Sequence, residues 1–124
     1  MTPTNEKMLL VNNRIIKRGE VYWVRLDPAE GAETKKTRPA VVISNDEQNA
    51  KSKVIIVAPI SKKVNKIYPT FQVPIYLKGE LRKVKCEQIR AVGKHRIIGK
   101  KVADLTEIEM VKIKQILKEV LNLD

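Results

Sequence analysis

The sequence predicts a small β-barrel or sandwich with an amphipathic helix at its C-terminal end. Short runs rich in β-branched residues, punctuated by Gly and Pro, fill the chain from Gly19 to Val102. From Thr106 onward the apolar spacing lengthens from strand-like to helical. Short strands separated by turns, without intervening long helices, argue against a parallel α/β sheet.

In EVYWVRL, Val21, Trp23 and Arg25 face one way and Tyr22, Val24 and Leu26 the other, so Glu20 to Leu26 reads as a strand ended by Asp27-Pro28. A charged stretch with Glu30, Glu33, Lys35, Lys36 and Arg38 follows, and it drops through Pro39 into the apolar run Ala40 to Ile43. Ordered loops of about ten residues inside compact domains are often binding or active-site elements. PAVVIS reads as a buried strand closed by Ser44, Asn45 and Asp46 as turn residues, and Val54 to Ile60 as another. There Pro59 points to an edge or a bulge, placing Ser61, Lys62 and Lys63 at an exposed strand exit. Thr70 to Ile75, Leu81 to Cys86 and a short ribbon within His95 to Val102 complete the strands. The helix is announced by Thr106 and Glu109 at capping-box spacing. Ile108, Val111, Leu117, Val120 and Leu121 then recur at helical intervals, with Ile113 and Ile116 beside them.

The chain has 124 residues, enough for one domain with its own core. Met1 to Lys17 mixes polar and apolar residues without a clean period and reads as an extension, weakly packed or mobile, ahead of a single domain over 18–124. No apolar run approaches the roughly 20 residues that span a bilayer, and the first residues lack the pattern of a signal peptide, so a soluble, cytoplasmic protein is expected. With one cysteine, Cys86, and one histidine, His95, neither an internal disulfide nor a Cys/His metal cluster can form, and no cofactor motif is present.

The net charge of +11 is concentrated in the middle. Lys51 to Ala103 holds fourteen Lys and Arg against only Glu80 and Glu87, whereas the segments on either side nearly balance. A basic surface of this kind attracts polyanions, with phosphate backbones the commonest target. Chemistry without a metal or an obvious catalytic histidine must come from carboxylates, hydroxyls, Lys and Arg. One reaction that fits is attack of an RNA 2′-hydroxyl on its own phosphate, which needs a base, a donor to the leaving oxygen and cations at the phosphate. Arg38 suits the last role, because its planar fork matches phosphate. A carboxylate such as Glu33 or Glu87 is the better base, and pairing of Arg38 with Glu33 or Glu30 in a surface ion pair is the plain alternative. Lys85 and Glu87 share a face if their strand persists, Cys86 reads as a buried small hydrophobe, and Tyr22 and Trp23 read as core.

The blocks RGEVYWVRLDP, GAE, TRPAVVISND, VIIVAPIS, YPT, CEQIR and LTEIEM, in this order, resemble the MazF/PemK/Kid family of toxin endoribonucleases over about Lys17 to Leu123. The resemblance implies an SH3-like barrel with a C-terminal helix and a homodimer whose grooves bind single-stranded RNA. It also implies metal-independent cleavage to 2′,3′-cyclic phosphate and 5′-hydroxyl ends, and a cognate antitoxin with an acidic disordered tail. By position, the catalytic arginine falls on Arg38, the hydroxyl residue on Ser61 and the loop glutamate on Glu33. Lys85, Cys86 and Glu87 stand where Kid-type members have Arg-Cys-Asp. The implied RNA contacts are Lys35, Lys36, Thr37, Lys62, Lys63, Lys85 and Gln88. The chain departs from the family where the usual Gly-Ser-Glu-Gln-Gly-Gly loop reads Gly31, Ala32, Glu33, Thr34, Lys35, Lys36, and where Phe71 replaces a frequent histidine. An alternative expectation is a non-catalytic SH3-like module that binds nucleic acid or an acidic peptide.

Overall fold

The structure is a computed structural model that describes residues 15–26 and 37–124. In chain order it contains β1 (Glu20–Arg25), β2 (Thr37–Val42), α1 (Asp46–Lys51), β3 (Val54–Ser61), β4 (Gln72–Leu77), β5 (Glu80–Lys85), β6 (Arg90–Gly93), β7 (Ile97–Asp104) and α2 (Glu107–Val120). Short 3-10 turns occupy Cys86–Gln88 and Lys94–Arg96. The strands form one antiparallel sheet in the order β4-β5-β3-β2-β1-β7, and β6 also pairs with β3. The mainly β class and the C-terminal helix are as the sequence predicts.

Both faces of the central strands are buried, which explains why PAVVIS and VIIVAPI are nearly continuous apolar runs. Alternation sends Val21, Val41, Ala58 and Ile60 into one cluster, beneath Ile113 of α2. It sends Tyr22, Val24, Ala40, Val42, Ile55 and Val57 into the other, closed by Val92 and Ile97. Each fully buried Val or Ile contributes about 1.5–3 kcal/mol of transfer free energy. Ile16, read as part of the extension, is 3% exposed and belongs to the second cluster, so the packed domain begins before residue 18. Glycine at position 19 has φ +92°; its N–H reaches Val42 O at 2.8 Å and its carbonyl accepts from Leu105 N at 2.9 Å, so this turn ties three segments together.

Several local readings are corrected. Asn45 is an N-cap rather than a turn residue: its side chain accepts from Gln48 N at 2.8 Å and opens α1. Pro59 is neither at a sheet edge nor in a bulge, because it pairs with Ala40 inside the sheet. On the other side of β3, the partner changes from β6, ending at Val57, to β5, beginning at Ile60. A residue without an N–H is accommodated at that gap. The fourth strand runs two residues later than expected, Gln72–Leu77, and joins β5 through Lys78 (φ 51°) and Gly79 (φ 82°), the pair of positive φ values a tight hairpin requires. The strand before Cys86 ends at Lys85, so Glu87 lies on a 3-10 turn and does not share a strand face with Lys85. Trp23 is 45% exposed rather than core.

The C-terminal helix carries the expected capping box, with Glu109 N donating to Thr106 Oγ1 at 3.1 Å and Thr106 N donating to Glu109 Oε1 at 2.9 Å. Its inward stripe is Met110, Ile113, Ile116, Leu117 and Val120. Ile108 and Val111, counted in the apolar stripe from spacing, lie 70% and 47% exposed, because at 100° per residue they fall on the face turned away from Ile113.

Two predictions test this packing. Asn49 is fully buried in α1, donates to Ser44 O at 2.8 Å and accepts from Ser44 Oγ at 2.5 Å, while Ser44 Oγ accepts from Ile56 N at 3.0 Å. Asn49→Ala orphans the buried Ser44 carbonyl and should lower unfolding free energy by about 1–3 kcal/mol in urea titration. Burial, reinforced by the charge of Glu87, pushes the Cys86 thiol from 9.0 up to about 12. Between these values the native state keeps a proton that the unfolded state has lost, so stability falls as pH rises above 9, by about 1.4 kcal/mol per unit. Denaturation midpoints measured from pH 8 to 11 should show this slope in the native chain and lose it in Cys86→Ala.

Candidate nucleic-acid interface

A cavity of about 630 Å³ opens where β1, β2 and β3 reach the same end of the sheet. Arg38, on β2, pairs with Val24, and the next residue, Pro39, pairs with Trp23; this register carries the exposed indole and the half-buried arginine to one mouth. Ser61 is the last residue of β3, opposite Lys83 of β5. It is 6% exposed, and its Oγ accepts from Lys63 N at 3.1 Å, which turns the chain so that Lys62 and Lys63 project at the rim. Arg82 enters from β5 and is held by Glu80 at 3.0 Å.

The described lining therefore carries four cations, Arg38, Lys62, Lys63 and Arg82, and no carboxylate. Among the described residues Arg38 has no ion-pair partner. A partly enclosed site whose described charged lining is cationic and includes the Ser61 hydroxyl suits a phosphate group, with Trp23 providing an apolar wall.

Of the residues singled out in the sequence, the structure brings Thr37, Arg38, Ser61, Lys62 and Lys63 together. Glu33, Lys35 and Lys36 lie outside the described residues. Glu87 is not at this mouth; it lines a second cavity of about 540 Å³ with Thr70, Phe71, Glu119 and Val120. Its Oε2 accepts from Gln72 Nε2 at 3.0 Å. Lys85 is half-buried at the end of β5, opposite Gln72, and Gln88 is exposed on the 3-10 turn. Trp23 and Arg82 were not singled out as site residues. Alternation marked the Trp23 face, but only the Trp23–Pro39 register shows that it borders Arg38. No local signal in ELRKVK separates Arg82 from its basic neighbours.

The described residues contain no helix long and apolar enough to cross a membrane. Residues 17–121 match the family described as PemK-like, MazF-like toxin of type II toxin-antitoxin system. The chain is 36% identical over 119 residues to endoribonuclease MazF9 of Mycobacterium tuberculosis, covering 89% of this chain and 98% of that protein. It is 35% identical over 107 residues to endoribonuclease MazF of Staphylococcus epidermidis, covering 80% and 85%. Among solved structures, MazF of Deinococcus radiodurans superposes with a TM-score of 0.75 over 89% of this chain and 99% of that one, at 21% identity. A mycobacterial endoribonuclease in complex with its cognate antitoxin gives 0.71 over 88% and 97%, at 23% identity. The likeness to these solved structures is one of fold, whereas the family match and the two closer sequence relatives, spanning nearly the whole chain, show that it belongs to the PemK/MazF family of toxins of type II toxin-antitoxin systems.

Proposed function

We propose that this chain is an endoribonuclease toxin that cleaves single-stranded RNA as a cytoplasmic homodimer without a metal, leaving 2′,3′-cyclic phosphate and 5′-hydroxyl ends. The observation that carries this reading is the cavity in which Arg38 and Ser61 converge among cations with no carboxylate in the described lining. The scissile phosphate sits against Arg38, whose guanidinium donates to its non-bridging oxygens and stabilises the charge that grows on them in the phosphorane. Ser61 Oγ accepts from Lys63 N and keeps its own proton to donate to the phosphate or to the 2′-hydroxyl. The 2′-oxygen bonds to phosphorus and the 5′-oxygen leaves. Arg38 donates a proton to that leaving oxygen and regains one from solvent, and the 2′-hydroxyl proton passes to Glu33 in preference to Glu87, which lines the second cavity. Lys35, Lys36, Thr37, Lys62, Lys63, Lys85 and Gln88 contact the strand. The second partner is an antitoxin whose acidic, disordered tail competes for the same basic surface, in keeping with the relative solved with its cognate antitoxin.

Incubation with single-stranded RNA in EDTA should give cyclic-phosphate ends. Arg38→Ala should lower kcat by about 10²–10³, and a chain that cleaves equally well without Arg38 would sink the mechanism. The base is identified by comparing Glu33→Gln with Glu87→Gln. The variant lacking the true base should lose about 10²–10⁴ in kcat and the acidic limb of its pH profile, while the other keeps both.

A further inference from the structure

The segment joining β3 to β4 carries a feature that the reaction above does not use. Tyr68 is 42% exposed, yet its ring stacks on Phe71 with centroids 5.0 Å apart and planes at 15°. The Lys66 ammonium lies 5.0 Å from the same ring centroid. The backbone beneath this exposed ring is tied at both polar groups. Tyr68 N donates to Gln72 Oε1 at 3.1 Å, and Tyr68 O accepts from Gln72 N at 2.7 Å and Phe71 N at 3.1 Å. Gln72 is 4% exposed, so the anchor belongs to the core. Lys83, 8% exposed, donates from Nζ to Lys66 O at 2.8 Å, and Lys83 is the residue opposite Ser61.

This segment is therefore a surface loop built to hold an aromatic ring still. Along the chain it follows Lys62 and Lys63, which line the first cavity, and leads to Thr70 and Phe71, which line the second. Because Lys83 ties the loop to the strand position facing Ser61, the ring and the proposed scissile site are fixed relative to each other.

Resting on the RNA reading above, we propose that Tyr68, backed by Phe71, is a stacking platform for one unpaired nucleobase of the bound strand. Every base has a π-face that an aromatic side chain accepts, and stacking of this kind outweighs an exposed cation–π contact. The base exchanges favourably for Lys66, whose flexible, exposed side chain swings to the phosphate of the stacked nucleotide. Stacking orders the strand on entry and contributes equally to the ground and transition states, so it acts on KM rather than kcat.

The test uses the full chain and a single-stranded RNA cut by the wild type. Tyr68→Ala should raise KM by about 5- to 150-fold with kcat within about three-fold, and Tyr68→Trp should restore KM. A parallel strand with 2-aminopurine at successive positions should show fluorescence quenching at one position, lost in Tyr68→Ala and recovered in Tyr68→Trp. Lys83→Met, which frees the loop and leaves the ring in place, should raise KM in the same direction by a smaller factor. An unchanged KM and quenching pattern in Tyr68→Ala overturns the platform, as does a KM that rises but is not restored by Trp in a chain with wild-type melting temperature. A wild-type chain that binds the strand but does not cut it removes the endoribonuclease reading alone. The platform is then judged by the same variants on strand affinity.

Discussion

β3 is the constraint on which the rest of the molecule depends. It is hydrogen-bonded to β2 along one edge and to β6 and then β5 along the other, while its side chains alternate between two apolar clusters. A strand bonded on both edges and buried on both faces has no freedom to slide, since a one-residue slip would exchange every side chain between clusters. Ser61, at its last position, inherits that rigidity. Arg38 inherits the same property one strand away, because β2 is held between β1 and β3.

The positions that give the site its charge sit where this frame ends. Lys62 and Lys63 follow β3, Arg38 opens β2 beside Thr37, and Arg82 comes from the hairpin that β3 holds in place. Cations gathered at strand ends repel one another and reduce stability, and that cost is offset by burial in the two clusters below them. The arrangement resembles other functional sites in which rigid elements carry loops that do the binding. Elsewhere on the surface, charges are tied to specific partners. Lys101 lies 2.8 Å from Asp104, whose hydrogen bond raises the ammonium pKa, and 3.6 Å from Glu20, and Glu20 also accepts from the Tyr22 hydroxyl.

Where sequence reasoning missed, the cause was a competing local or tertiary term. Asn45, Asp46, Glu47 and Gln48 carry a helix-start pattern, but α1 is so short that turn chemistry explained the same residues equally well. Pro59 reads as an edge residue until β6 and β5 are seen to share the side of β3 that it faces. Lys85 and Glu87 share a face only while the chain stays extended. A 3-10 turn replaces the strand there, with Cys86 as the buried residue at the corner. Trp23 is exposed because the cavity beside Arg38 leaves its ring uncovered.

By itself, the order of residues determined the elements with strong period and the type of chemistry available. The alternation in EVYWVRL, the apolar runs of β2 and β3, the capping box of α2, the basic middle and the near absence of Cys and His are all properties of neighbouring residues or of composition. Tertiary structure alone decided which charged residues meet. Arg38 and Ser61 are separated by a helix and a strand in the chain, and they converge because β2 and β3 pair antiparallel; Glu87 parts from them because a turn carries it to the second cavity. Tyr68 shows the same division: the sequence contains the tyrosine, but only packing against Phe71 and the bonds from Gln72 and Lys83 make it a fixed, exposed ring. Contacts between residues distant in the chain depend on register and burial, which no local pattern specifies.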